Sequence, residues 1–404
     1  MPSGNLETLK IAFRYGADAV YIGGEAYSLR AKADNFSYED MREGIGFAHS
    51  LGKKVYITAN IFAHNGDIEP IREYFKELSD IMPDGVLVAD PGVFALAKEY
   101  LGDIPIHIST QANTTNAMSV RFWREQGAKR VVLARELNLK EIAGIREELG
   151  DEAELEVFVH GAMCISYSGR CLLSNYFTGR DANRGACTHP CRWRYYLEEE
   201  TREGERLPIF ENDRGTFIMN SKDLCMISHL PELIATGADS LKVEGRMKSI
   251  LYVATTARAY RQAIDDYFSS EEKYRKRLKW YEDEVSACTN RTFTTGFFFG
   301  KPSEDSMIYD ESTYVTDYVF LGYVDGSKEI DGRICYRMMQ RNKFGTGDEI
   351  EIMHPSGDNE RVKVLHLFDE EGNIIDSVPH AKQIFYIDVG NPIEDFAVLR
   401  HKKL

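Results

Sequence analysis

Hydrophobic and polar residues follow two different rhythms along this chain, and the change comes near residue 270. Before it, short β-branched apolar runs end in a polar residue or glycine and give way to amphipathic stretches. The runs are AVYIGG (19–24), KVYITAN (54–60), GVLVAD (85–90), IPIHIST (104–110), RVVLARE (130–136), ELEVFVHG (154–161) and SLKVEGR (240–246). Segments of helical period lie between them, such as EPIREYFKELSDIM, NAMSVRFWREQG and LKEIAGIREELG. Apolar runs alternating with helices predict βαβ units around a parallel sheet covered on both faces. A repeat this regular predicts an α/β fold of the (β/α)8 TIM-like barrel type rather than a doubly wound sheet. Seven runs stand where a closed barrel has eight strands. PSGNLETLK (2–10) reads as a loop and helix, so the first strand is expected to be missing.

The rhythm changes after the helical stretch SILYVATTARAYRQAIDDYF and the charged SSEEKYRKRLKWYEDEVSAC. YVFLGYVDG, GRICYRMMQRNKF, GDEIEIMHPSG, ERVKVLHLFDEEG and AKQIFYIDVG alternate with period two and close on Gly, Asp or Asn turns. They predict a small antiparallel β-barrel. The expected layout is a barrel over 1–268, a cysteine-rich insertion at 161–223 within it, a helical linker at 269–310 and the small β-barrel at 311–404.

Active sites of such barrels gather at the carboxyl ends of the strands. Here those ends carry Asn60, Asp90, Ser109, Thr110, Gln111, Arg135, Glu136, His160, Glu244 and Arg246. Some of them serve loop backbone, and the rest line a site. The insertion leaves the barrel between its last two predicted strands, so it emerges over that mouth.

Composition narrows the classes. Hydrophobic content of 43% with 28% charged residues fits a globular protein of two or three domains. Neither a signal sequence nor a run of apolar residues long enough to span a bilayer is evident, so a cytoplasmic location without a membrane partner is expected. A net charge of −15 argues against indiscriminate binding of DNA or RNA by the whole surface. From His160 to Arg194 the balance reverses, with five arginines (170, 180, 184, 192, 194) against Asp181.

That same stretch holds four of the seven cysteines, at 164, 171, 187 and 191. Clustered thiols in a reducing compartment point to metal binding or catalysis rather than to disulfides. The spacing C-x6-C-x15-C-x3-C is long for a zinc knuckle, and iron–sulfur clusters also take four thiolates. An iron–sulfur cluster, zinc and unligated thiols all stay open at this level. No histidine begins an H-E-x-x-H motif and no G-x-S-x-G elbow occurs, so peptidase signatures are missing. Tyr167, Tyr176, Phe177 and Trp193 interleave with the arginines, a composition suited either to stacking unpaired RNA bases or to packing the insertion onto the barrel.

Several long stretches resemble one family. EVFVHGAMCISYSGRCLLS, NYFTGRDANRGACTHPCRW, MNSKDLCMI and SLKVEGRMKS, with GNLETLKIAFRYGADAVYIGG and YSLRAKADNF, are similar to the collagenase-like peptidases of unknown catalytic type, family "U thirty-two". The likeness is strongest to its bacterial tRNA hydroxylation branch, whose members place a 5-hydroxyl on the wobble uridine, use prephenate and carry iron–sulfur clusters. It implies a cluster, of four iron and four sulfur atoms, on Cys164, Cys171, Cys187 and Cys191, with Cys225 in reserve. Prephenate would meet Arg30, Arg135 and Arg246, with Asn60 and Gln111 beside them. The RNA would meet Arg170, Arg180, Arg184, Arg192 and Trp193, and Glu136, His160 or Glu244 would move protons. The expected partners are tRNA and a paralogous chain. The rival readings are a peptidase and an RNA-binding partner subunit with a structural metal.

Overall fold

The computed structural model describes residues 1–24, 35–164, 166–193, 222–288, 290–300 and 317–403, with the backbone of 211–212 and 215–216. The first part alternates strand and helix. Helix α1 (Leu6–Arg14) precedes β1 (Ala19–Ile22), and then come α2 (Tyr38–Ser50), β2 (Lys54–Thr58), α3 (Ile68–Ile81), β3 (Gly85–Val88) and α4 (Pro91–Tyr100). The pattern continues through β4 (Ile106–Ile108), α5 (Ala117–Glu125), β5 (Arg130–Val132), α6 (Leu139–Leu149) and β6 (Glu154–Ala162). Local chemistry sets the helix starts. Ser37 with Asp40, and Asn138 with Glu141, form reciprocal capping boxes on α2 and α6. Asp90, a candidate mouth residue by sequence, instead caps α4 through the N–H groups of Gly92 and Val93.

Inside the insertion lie α7 (Leu173–Thr178) and the short strands β7 (Glu211–Asn212) and β8 (Gly215–Thr216). The chain returns through β9 (Asp223–Cys225), α8 (Leu230–Ala235), β10 (Ser240–Val243) and α9 (Ile250–Ser269). Strands β1 to β6 pair in parallel in sequence order, and β10 pairs in parallel with β6. Their apolar residues are buried in unbroken runs because helices cover one face and barrel side chains fill the other.

Where the first strand is expected to be missing, three residues pair with β1. Tyr21 N–H donates to the Met1 carbonyl at 2.9 Å and Ser3 N–H to the Tyr21 carbonyl at 3.1 Å, so Met1–Ser3 runs parallel along β1. The Tyr21 hydroxyl then reaches the Val243 carbonyl at 2.9 Å, tying β1 to β10. At the amino-terminal end of the strands, Glu156 is buried among Lys242 (2.5 Å), Ser240 (2.7 Å) and Arg130 (3.1 Å). These groups border a cavity of about 590 Å³ at the end of the barrel opposite the mouth.

The expected linker contains α10 (Glu271–Lys276) and α11 (Leu278–Ser286), but its continuation re-enters the barrel sheet. Strand β11 (Phe293–Thr294) pairs in parallel with β9. The C-terminal part comprises β12 (Tyr318–Ile330), β13 (Arg333–Met339), β14 (Glu349–Met353), β15 (Glu360–Lys363), β16 (His366–Phe368), β17 (Ile374–Ile375), β18 (Ile384–Asp388) and β19 (Val398–Lys402). They form one curled antiparallel sheet in the order β15-β14-β19-β12-β13-β18-β16-β17. Met353 and Val398 bury their side chains in the core of the α/β barrel. The buried Tyr15 hydroxyl donates to the Met353 carbonyl at 2.7 Å and accepts the Val398 N–H at 3.0 Å.

Candidate active site

The carboxyl ends of β2, β4 and β10 build a polar mouth. Asn60 donates to the Ser109 hydroxyl at 3.0 Å and to Gln111 Oε1 at 3.1 Å, and Ser109 also bonds Gln111. Arg246 crosses the opening, its guanidinium donating to Thr58 Oγ1 and to Asn35 Oδ1, each at 3.0 Å. A side chain at Gly23 would place its Cβ 2.3 Å from that guanidinium, so only glycine leaves Arg246 its place there. The space remaining among Thr58, Asn60, Gln111, Glu244 and Arg246 is about 40 Å³, room for little more than a water.

Beside this cluster, Arg135 donates to the Ala162 carbonyl at 2.7 Å and pairs with Glu244 at 3.3 Å, while its guanidinium lies 4.0 Å from the Phe158 ring centre. The Glu244 carbonyl accepts the Tyr252 hydroxyl at 2.6 Å. Gly161 makes this packing possible. Its φ of +107° is left-handed, and a Cβ there would stand 2.4 Å from the Glu244 carbonyl oxygen.

The three proton-moving candidates occupy different surroundings. Glu244 is paired to Arg135 at the mouth. His160 is buried against the rings of Tyr252, Tyr260 and Phe293, and burial lowers its pKa to about 4. It is therefore neutral at physiological pH and sits on the side of helix α9. Glu136 lines a cavity of about 410 Å³ with Asn138, Cys164, Tyr167 and Phe297. Burial raises its pKa, and its buried Oε2 has no hydrogen-bond partner within the protein.

The insertion folds down on the mouth. Gly169 lies against Gln111 and Phe62, and the exposed Arg170 stacks on the Phe62 ring at 4.9 Å. Arg184 grips Asp67, in the segment after β2, through two bonds of 2.7 and 2.8 Å. Those bonds hold the Asp67 carboxyl down to about 2. Arg184 thus tethers the insertion, whereas Arg180 points its charge into solvent. Tyr176, Phe177 and Trp193 form an exposed chain of rings, with centroids 5.1 and 6.0 Å apart. Arg30 and the Arg192 side chain lie outside the described residues.

Cys164 is exposed, and Cys171, Cys187 and Cys191 are half-buried within the same fold. Among the described residues no three His, Cys, Asp or Glu side chains stand together as a metal-ligand group. The donor set nevertheless suits a soft, thiolate-bound cluster. His189, at a left-handed φ of +56°, aims its backbone N–H at the Cys187 sulfur at 3.4 Å, the kind of donor that stabilises a ligating thiolate. Cys225 stands apart on β9, paired in register with His160, and burial pushes its thiol up to about 12.

Comparison with known proteins settles the family. The profile of peptidase family U32 matches residues 4–308, and that of the U32 C-terminal domain matches residues 316–400. The chain belongs to peptidase family U32. Among its U32 relatives is tRNA hydroxylation protein P1 of Bacillus subtilis, 42% identical over all of this chain and 94% of the relative. tRNA hydroxylation protein P of Escherichia coli is 36% identical over 98% of this chain and 95% of its own length. The 23S rRNA 5-hydroxycytidine synthase of E. coli is 36% identical over 65% of this chain and 38% of its own length. The first U32 match spans the barrel, its insertion and both helices of the expected linker, so family membership covers the whole mouth. Among the described residues, no helix of this U32 protein is long and apolar enough to cross a membrane.

Sequence reading missed several participants in the site. Thr58, Asn35 and Tyr252 position Arg246 and Glu244, and Asp67 anchors the insertion. None carries a local signal, because each acts through a partner distant in the chain. Phe297 lies within the expected linker, and only the return of β11 to the barrel sheet brings it to the mouth.

Proposed function

We propose that this U32 protein is an RNA-modifying hydroxylase that converts C5–H of the wobble uridine of tRNA to C5–OH. The observation that carries the reading is the placement of a four-cysteine, arginine-rich segment over the polar mouth of the barrel, in a chain whose full-length relatives bear the name tRNA hydroxylation protein. A further relative, the 5-hydroxycytidine synthase, has a product hydroxylated at the same ring position of a pyrimidine.

Replacing C5–H by C5–OH adds one oxygen atom and removes two electrons. Amino-acid side chains supply neither an oxygen donor nor a two-electron acceptor, so the reaction needs a redox group together with an oxygen donor and an external electron acceptor. Cys164, Cys171, Cys187 and Cys191 would hold an iron–sulfur cluster of the four-iron type, which supplies electron transfer when bound. Prephenate would serve as co-substrate, its two carboxylates matched to the guanidinium groups of Arg135 and Arg246. Because the space among Asn60, Gln111 and Arg246 holds little more than a water, Arg246 would have to swing aside to admit it. Arg170, Arg180 and Trp193, with Arg192 beside the last in sequence, would meet the RNA, phosphates on the charges and unpaired bases on the ring. Glu244, paired with Arg135 at the mouth, is placed to accept a proton. The protein would act in the cytoplasm, where its tRNA is, alone or with a paralogous chain.

The test compares tRNA nucleosides from a strain lacking the gene with those from the same strain carrying wild-type or Cys→Ser variants at 164, 171, 187 and 191. Wild type should restore 5-hydroxyuridine derivatives, and each variant should lose both the product and most of the iron bound after anaerobic purification. Persistence of the modified nucleoside in the deletion strain, with no other family member present, would sink the proposal.

A further inference from the structure

The cavity beside Cys164 has a chemistry that the polar mouth does not. Its volume of about 410 Å³ is ten times the space among Asn60, Gln111 and Arg246, and is of the size of small-ligand sites. Its walls are of two kinds. Tyr167 and Phe297 offer flat apolar faces, and both are fixed by short turns. Arg170 N–H donates to the Tyr167 carbonyl at 3.0 Å, and Gly300 N–H to the Phe297 carbonyl at 2.9 Å. The adjacent Phe298 carbonyl accepts Leu139 N–H at 3.0 Å, which pins this turn to the start of α6. The third wall is polar and centres on the half-buried carboxyl of Glu136, beside Asn138.

We infer that this cavity is the base subsite, in which the target uracil lies against Tyr167 and donates its imide N3–H to the carboxyl of Glu136. The inference rests on the hydroxylase reading and adds to it the place and the polarity of base recognition. Uracil fits the polar wall because its N3 carries a hydrogen. Cytosine presents a lone pair at that position, which a carboxyl acceptor repels. Holding N3 at Glu136 turns the C5–C6 edge of the ring away from that wall, towards the remaining lining, of which the exposed Cys164 is part. A stacked ring and a single directional acceptor are the usual means by which proteins hold an unpaired base.

The test uses cluster-loaded, anaerobically purified full-length protein and an anticodon stem-loop carrying 4-thiouridine at the target position. Irradiation should crosslink the base to the peptide that holds Cys164 and Tyr167, or to the one that holds Phe297. In the complemented deletion strain, Glu136→Leu should lower 5-hydroxyuridine about ten- to hundredfold, while iron content and stem-loop affinity stay near wild type. Glu136→Gln, which keeps an acceptor oxygen and the side-chain volume, should recover part of the product and guards against misfolding of the leucine variant. Crosslinks confined to the C-terminal β-sheet, or Glu136→Leu at wild-type product level, would overturn the subsite and leave the hydroxylase reading standing. Failure of wild type itself to restore the product would remove both.

Discussion

Arg400, three residues before the last described position of the chain, meets Glu284 of helix α11 through two bonds of 2.9 and 3.2 Å in a site closed to solvent. Glu284 also pairs with Arg258 of α9 at 2.9 Å, and Arg400 with Glu351 of β14 at 2.7 Å. Burial alone would raise the Glu284 pKa, but the guanidinium groups of Arg400 and Arg258 outweigh it and hold the carboxylate ionised. The network therefore joins the α/β barrel to the C-terminal sheet. Glu284→Gln keeps the shape and removes the charge, leaving two buried guanidiniums short of a counter-ion. It should cost roughly 3–5 kcal/mol, read as an earlier midpoint in urea, with both parts unfolding together.

Gly161→Ala tests how tightly the mouth is packed. The left-handed backbone and the Glu244 carbonyl 2.4 Å from the new Cβ both oppose it. The expected loss is about 1–3 kcal/mol from strain and overpacking, together with reduced product formation because Glu244 must shift. A melting temperature equal to wild type would show that the strand can yield at no cost.

Acid should destabilise the protein through His160. Its ordinary pKa near 6.5 is lowered to about 4 by burial, so the unfolded chain binds the extra proton first. Stability is complete above about pH 6.5 and falls as pH drops towards 4, by roughly 3 kcal/mol from this one group. His107, lowered to about 3 by burial and the nearby Arg130, adds to the same slope. Urea midpoints measured between pH 7 and 4.5 should fall less steeply for His160→Gln than for wild type.

Asp67→Asn releases Arg184 without touching the barrel core. Cleavage within 161–223 by a limiting protease should become several-fold faster, while the melting temperature of the barrel stays unchanged. An unaltered cleavage rate would mean that the Phe62 and Gln111 contacts alone hold the insertion down.

The barrel was legible because each strand is a short β-branched run between amphipathic helices, and all seven predicted strands form where the runs lie. Apart from β6, the observed strands end sooner than the runs, at Thr58 rather than Asn60 and at Val132 rather than Glu136. The polar terminal residues leave the hydrogen-bonded ladder to line the mouth. In the C-terminal part, ERVKVLHLFDEEG holds two strands, β15 and β16, because the chain pairs with β14 up to Lys363 and with β18 from His366. Strands β9, β11, β17 and β19 went unseen: three have two or three residues, too few for periodicity, and β19 mixes buried Arg400 with apolar neighbours. Charged residues at 258, 284 and 400 read as surface from sequence, since only tertiary pairing makes their burial affordable. His160 misled for a related reason. It follows a buried strand towards the mouth, yet the local irregularity opposite Val243 accompanies its packing on helix α9.

The cysteine-bearing insertion begins and ends on one strand pair: Ala162 of β6 and Asp223 of β9 are direct partners in an antiparallel ladder. Arg291 locks that junction by bonding Asp223 at 2.7 Å. Sixty intervening residues thus leave and re-enter the barrel through a clasp a few ångströms wide. Because the clasp fixes the two ends, changes in the loop's length or content impose little on the barrel beneath, and closing a longer loop adds only a logarithmic entropy term. The architecture behaves as a socket with an exchangeable head. Within one family, selection can refit the head to a different RNA while the mouth below keeps its chemistry.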